Sequence, residues 1–295
     1  MAKGEKIGKC KLCGQVSKII EGHVTTKFAI DCLKRTSATP YIRQALNPNL
    51  PRQDMQKLPL LCAGCERLFS TWEGQFARQL FIPFQEKGQQ SFSYGDWLLS
   101  FAVSLAWRIA TVEVDNFRRS NAELAEYVEK ALDCWRAFLL GHSKDSGPYE
   151  HHLFFLDYVA DARGTDLPDK INWYLLRSVD ATIASGSQSV FIYFLLPGLV
   201  FWSCVRPLEQ EGWQGTRILG RGTIAPPQVA PSEFGDFLLN RAQVALERVG
   251  QISDIQRTKI ADNMLKDPAR TLASQSWEML QFEHLRKRML KQDGK

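Results

Sequence analysis

Two cysteine pairs at matched spacing are the residues of this chain best suited to chemistry. Cys10-Lys11-Leu12-Cys13 and Cys62-Ala63-Gly64-Cys65 each offer two sulfurs from one tight turn. A tetrahedral zinc ion takes four soft ligands, and two C-x-x-C turns supply them. The pattern therefore predicts a structural Zn²⁺ held by Cys10, Cys13, Cys62 and Cys65. The 48 residues between the pairs exceed those of a simple zinc ribbon, so that segment must carry structure of its own. Cys32, Cys134 and Cys204 sit in apolar surroundings and read as ordinary buried thiols.

Between the knuckles lie Lys27, Lys34, Arg35, Arg43, Arg52 and Lys57, the cations expected to meet phosphates, with Tyr41 or Phe28 for stacking on bases. Their even scatter fits a solvated surface equally well. Glu150-His151-His152 could ligate a metal, but adjacent histidines point in different directions, and the pair reads as a packed or loop feature. No phosphate-binding glycine loop, dinucleotide turn or serine-hydrolase signature is present.

The segments CKLCG, EGHVTTKF and LLCAGCERLFSTWE resemble the zinc-stabilised branch of the HNH endonuclease family, over about residues 8 to 84. They are also similar to a group of bacterial HNH-like proteins in which a glutamate follows the second knuckle. The resemblance implies a ββα-metal (treble-clef) finger and a metal-dependent endonuclease acting on DNA. By analogy, such a chain would serve as a nuclease effector in anti-phage defence. It further implies that His23 is the general base, that Glu66 replaces the family's terminal histidine, and that Glu73 joins it around a catalytic Mg²⁺ or Mn²⁺. Three positions depart from the pattern. Gly22 stands where many members carry an acid, with Glu21 one residue further off. Gln56 and Lys57 stand where an asparagine is usual, Asn47 and Asn49 being distant substitutes. Glu66 is the third departure. The alternative is a degenerate site in a non-catalytic zinc module that binds nucleic acid or protein. There His23 orients the loop, Glu66 accepts from helix-start N–H groups, and Glu73 is solvated.

Charge agrees with a polyanionic partner at this end. Residues 1–88 hold 14 Lys and Arg against 7 Asp and Glu, whereas the remainder carries a net −2 of the chain's +5. Seven cysteines, an odd count, favour a reducing compartment, and MAKGEKIGKCKLC lacks a signal peptide's apolar stretch, so cytoplasm is expected. No membrane partner is expected. The uncharged run from Ser189 to Val205 is interrupted by Pro197-Gly198 and reads as two buried antiparallel strands joined by a turn.

These features must be positioned by an α+β chain. Residues 1–88 form the zinc-bound unit, with a helix from about Glu66 to Phe81 buried through Phe69, Trp72, Phe76 and Leu80. Pro83 should end it, leaving QEKGQQS as a linker. Residues 89–295 form a mostly helical second domain with a small antiparallel sheet: helical over 91–165, a β meander over 171–224, helical again over 231–291. Ser120-x-x-Glu123 and Ser253-x-x-Gln256 read as capping boxes, and Asp267-Pro268 as a helix start. The strands expected in the meander are INWYLLRSVDATIAS, SVFIYFLL, LVFWSCV and GTRILGRGTI. This domain is expected to regulate the finger, dimerise it or bind a protein partner.

Overall fold

Cys10 and Cys13 sit in the turn of a short hairpin, β1 (Ile7–Lys9) and β2 (Val16–His23). Gly14 closes that turn in the left-handed region, φ 76°, where a side chain would be strained. Helix α1 (Lys27–Arg35) and a second hairpin, β3 (Ile42–Gln44) and β4 (Asn47–Arg52), follow. Strand β5 (Lys57–Cys62) then returns to pair with β2, giving the order β1-β2-β5. Helix α2 (Ala63–Phe76) starts directly after Cys62. The computed structural model describes residues 6–55, 57–160, 167–208 and 210–293.

Proline does not stop this helix. A wide π-helical turn, Ala77–Phe81, leads into α3 (Ile82–Lys87), and Gly88 at φ 61° ends the run. Pro83 has no N–H to donate, and its ring would collide with a regular preceding turn, so the widened turn absorbs it. Part of the expected linker is thus helical.

Strand β6 (Phe92–Tyr94) precedes α4 (Asp96–Ser120) and α5 (Ala122–Leu139). The cap of α5 is Asn121, without a side-chain cap bond, and Ser120 closes α4 instead of opening a capping box. Strand β7 (His151–Phe155) interrupts the stretch expected to be helical, and residues 161–166 of that expectation lie outside the described residues.

INWYLLR is helix α6 (Ile171–Arg177), not strand: Ile171, Tyr174 and Leu175 recur at helical spacing and are buried together. Strands β8 (Asp180–Ser185), β9 (Val190–Leu196) and β10 (Leu199–Arg206) follow, and the antiparallel sheet runs β7-β10-β9-β8. GTRILGRGTI contributes one strand, β11 (Gly222–Ile224), which pairs with β6 outside that sheet, and an isolated antiparallel bridge from Arg217 to His152 of β7. The C-terminal helices are α7 (Ser232–Gly250), α8 (Asp254–Lys266), α9 (Pro268–Leu272) and α10 (Gln275–Asp293). Asp267 caps α9 by accepting from the Arg270 N–H at 3.0 Å, whereas the Ser253 side chain makes no cap bond to α8.

The uncharged run is the β9–β10 hairpin, turned at Gly198 with φ 73°. It is apolar throughout because helices cover both of its faces. Ile192, Phe194, Phe201 and Val205 join the core that contains α4 and α5. Phe191, Tyr193, Trp202 and Cys204 join the core that contains α6 and α7. Among the described residues α4 alone is long and apolar enough to cross a membrane, and 67% of its apolar stretch is buried against protein.

The first core is continuous from Leu12 and Cys65 through Phe69 and Phe76 to Phe101 of α4. Phe76 and Phe101 stack at 4.2 Å and 16°. The α1–β4 insertion also rests on the C-terminal helices. Arg270 donates to the Lys34 carbonyl, and the Ser253 N–H donates to Asn49 at 2.8 Å. The finger and the remainder should therefore unfold together. Phe101→Ala is expected to cost about 3–5 kcal/mol, as a fully buried aromatic does. In a denaturant titration that loss should shift zinc release and far-UV circular dichroism equally. Zinc release that stayed at the wild-type midpoint would show two independent cores.

Candidate functional site

The four knuckle cysteines meet as their spacing predicts. Their sulfurs all lie within 4.8 Å of one another. Cys13 Sγ and Cys62 Sγ are 3.8 Å apart, about the edge of a tetrahedron with Zn–S near 2.3 Å. The Cys62 N–H points at Cys10 Sγ, 3.4 Å away. At the start of α2, the Cys65 backbone N–H is the main influence drawing the Cys62 thiol down to about 7, while burial drives Cys65 up. The cluster is compatible with a structural metal such as zinc, and its donor set suits that ion.

His23 ends β2, opposite Lys57 of β5. Its Nε2 is 2.8 Å from Asp54 Oδ1, and Lys57 Nζ is 2.7 Å from the other carboxylate oxygen. The Lys57 ammonium, with smaller help from His23 and the Met55 N–H, holds the Asp54 carboxyl well below the usual carboxylate range. An ionised Asp54 only accepts, so Nε2 carries the proton and Nδ1 presents a lone pair. Among the described residues Nδ1 has no hydrogen-bond partner, and the side chain is 15% exposed.

Glu66 lies in the first turn of α2, with its carboxylate against Gly22. A Cβ at residue 22 would fall inside the contact radius of that carboxylate. Glu66 thus fills the space in which an acid before His23 would stand, and a side chain at residue 22 would have to displace its carboxylate. Glu73, two turns on, pairs with Arg108 of α4 at 2.6 Å, and Arg108 also donates to the His23 carbonyl at 3.2 Å. Only 5% of this arginine side chain is exposed, and it lies over the Phe69 ring. Burial raises the Glu66 carboxyl; the Glu73 charge adds to this, and Arg108 partly offsets it.

Among the described residues, no set of three ligands assembles for the catalytic divalent cation that the HNH resemblance implies. Among the described residues, three or more metal-ligating atoms converge at two places, the four cysteines and the set Glu150, His152 and Cys204. His23, Glu66 and Glu73 form no such set, and Glu73 already has a cation in Arg108.

Asp54 and Arg108 are the two site residues that the sequence reading missed. Asp54 carries no periodic signal, but Arg108 is visible as a single charge inside the apolar run SFAVSLAWRIATV. Asn49 is committed elsewhere, to Gln251 and Ser253, and Gln56 lies outside the described residues.

The candidate phosphate-binding cations divide by what already holds them. Lys27 pairs with Asp31, Arg35 with Glu86 and Lys57 with Asp54, all on partly or fully exposed surface. Arg43 is bound to the Pro48 carbonyl and Gln256, and Lys34 to the Gln53 carbonyl. Arg52 is exposed, without a partner among the described residues. Phe28 is partly buried and packs on Phe81 and Phe76 at the edge of the core.

Comparison with protein-family models, curated proteins and solved structures finds no match for this chain.

Two outcomes follow from this geometry. Cys13→Ser, or chelation of the wild type, should abolish zinc binding and unfold β1–β2–β5 and α2 together with the core they share with α4, because structural zinc contributes about 10–16 kcal/mol of apparent binding energy to such folds. Metal analysis alongside circular dichroism checks this. Glu66→Gln should raise the melting temperature at neutral pH. The folded carboxyl titrates above its unfolded value, so the ionised form opposes folding at pH 7. The gain should shrink as pH falls through the raised folded value, and vanish below the ordinary glutamate range. A pH-independent gain would refute the burial argument.

Proposed function

We propose that residues 6–87 form an HNH-like, treble-clef nuclease module that cleaves phosphodiester bonds, with DNA as its substrate. The pairing of His23 with Asp54 carries this reading. A carboxylate that fixes the imidazole tautomer leaves Nδ1 free to take a proton from water, whose oxygen then attacks phosphorus as the bond to the leaving sugar oxygen breaks and that oxygen takes a proton from solvent. Lys57, paired with Asp54, adds positive charge to the same cluster. Lys27, Arg35 and Arg52 supply phosphate contacts. Exposed ion pairs such as Lys27–Asp31 are worth only about 0–1 kcal/mol, so they exchange readily for a polyanion. Because the described residues assemble no three-ligand cation site at His23, the attack relies on His23 and Asp54 of the chain itself. A nuclease of this kind would serve defence against phage by analogy with chains of similar motif.

A second reading has its own observation in support. The Arg108 guanidinium neutralises Glu73 and grips the His23 carbonyl, and Glu66 fills the space beside Gly22. That arrangement suits a non-catalytic module that binds nucleic acid and has replaced its metal with an arginine.

Incubation of plasmid DNA with wild type, His23→Ala and Asp54→Asn, in Mg²⁺ or Mn²⁺, separates the two. The nuclease reading expects cleavage that falls by about 10²–10⁴-fold in His23→Ala, as loss of a general base does, with zinc content unchanged. Asp54→Asn should lose activity as well, with DNA affinity retained. Equal DNA binding by all three proteins without cleavage is the outcome expected of the second reading.

A further inference from the structure

Glu150 and His152 are separated by one residue, so their side chains share a face of the chain as it enters β7. On β10, Trp202 faces His152, and the Cys204 N–H donates to the Glu150 carbonyl at 2.9 Å. The antiparallel register thus sets Cys204 beside Glu150, on the face packed toward α6 and α7. One carboxylate oxygen, one imidazole nitrogen and one sulfur, all buried, lie within 4.8 Å of one another.

We propose that Glu150, His152 and Cys204 form a second zinc site, separate from the four-cysteine knuckle and built on the sheet. His152 supplies the independent observation. Its side chain is 2% exposed, and its Nε2 is buried with no hydrogen-bond partner. That nitrogen stands 3.4 Å from Glu150 Oε2, about the separation of two ligands near 2.0–2.1 Å from a tetrahedral ion. An apolar interior seldom leaves such a nitrogen without a partner, and a metal would supply one.

The surrounding residues fit the same role. Nδ1 of His152 is 2.9 Å from Thr216 Oγ1, and with Nδ1–H donating there the Nε2 lone pair faces the cluster. Trp213 stacks on the imidazole at 4.5 Å and 19°, fixing the ring plane. Arg217 pairs with Glu150 Oε1, which leaves Oε2 for the ion and steadies the carboxylate. Its side chain is 55% exposed and links the cluster to solvent. Zinc accepts this oxygen, nitrogen and sulfur set, and binding would release the Cys204 thiol proton as a Zn–S bond forms. Three protein ligands leave the fourth tetrahedral position to water or an exogenous donor.

Metal analysis of the purified full chain after incubation with excess Zn²⁺ and gel filtration is the test. Two zinc ions per chain are expected, and X-ray absorption should show nitrogen or oxygen together with sulfur in the average first shell. Cys204→Ala and His152→Gln should each hold one zinc with an all-sulfur shell. One zinc per chain in the wild type with an all-sulfur shell would overturn the proposal. So would two ions that neither substitution removes. Should both variants fail to fold, the wild-type stoichiometry and first shell still decide.

Discussion

The joining of two turns through four sulfurs is the constraint on which the finger's geometry depends. Cys13 and Cys62 are separated by 48 intervening residues in sequence and are 3.8 Å apart at sulfur. Closing a loop of that size costs a chain about 4 kcal/mol on the loop-entropy estimate for cross-links, a cost that the binding energy of a metal shared by the four sulfurs would offset. The clamp also fixes where α2 begins and how β5 lies on β2, with Ile19 opposite Cys62. Glu66 directly follows the last ligand, so its position against Gly22 is inherited from the clamp. His23, at the far end of the same strand pair, lies opposite Lys57 beyond a one-residue bulge between Ile20 and Glu21.

The charges around that strand end are completed from outside the finger. Glu66 and Glu73 are partly shielded carboxylates on one helix, and the cation between them and His23 comes from α4. An arginine with 5% exposure is costly to bury unless its donors are satisfied, and Glu73 with two backbone carbonyls does most of that. The polar cluster of the finger is therefore inseparable from the core of the remaining chain. The continuous packing from Leu12 to Phe101 expresses the same dependence in apolar contacts.

What could be read from the sequence divides by the range of the signal. Cysteine spacing, the Phe69–Phe76–Leu80 stripe, the Pro197-Gly198 turn and the Asp267 cap are local patterns, and each reappears in the fold. INWYLLR was misread because the strands near it are buried on both faces and show no alternation, so an apolar helix of seven residues looked the same. Pro83 was misread because a π-turn has no sequence signature comparable to the proline that it accommodates. Asp54, Arg108 and the pairing of Cys204 with Glu150 and His152 are long-range facts. They follow from register and helix placement, which no local spacing encodes.

Helix α4 is where these facts meet. One part of it presents Arg108 to His23 and Glu73, while Phe101 packs against both Phe76 of the finger and Phe201 of the sheet. Phe201 and Trp202 are adjacent on β10 and point to opposite faces, the first into the core shared with α4, the second into the core beside His152. A single strand thus separates the layer that supports the histidine–aspartate pair from the layer that holds Glu150, His152 and Cys204. Close-packed interiors transmit displacement across such a strand instead of absorbing it. The two polar clusters are distinct in chemistry, but they share one mechanical frame.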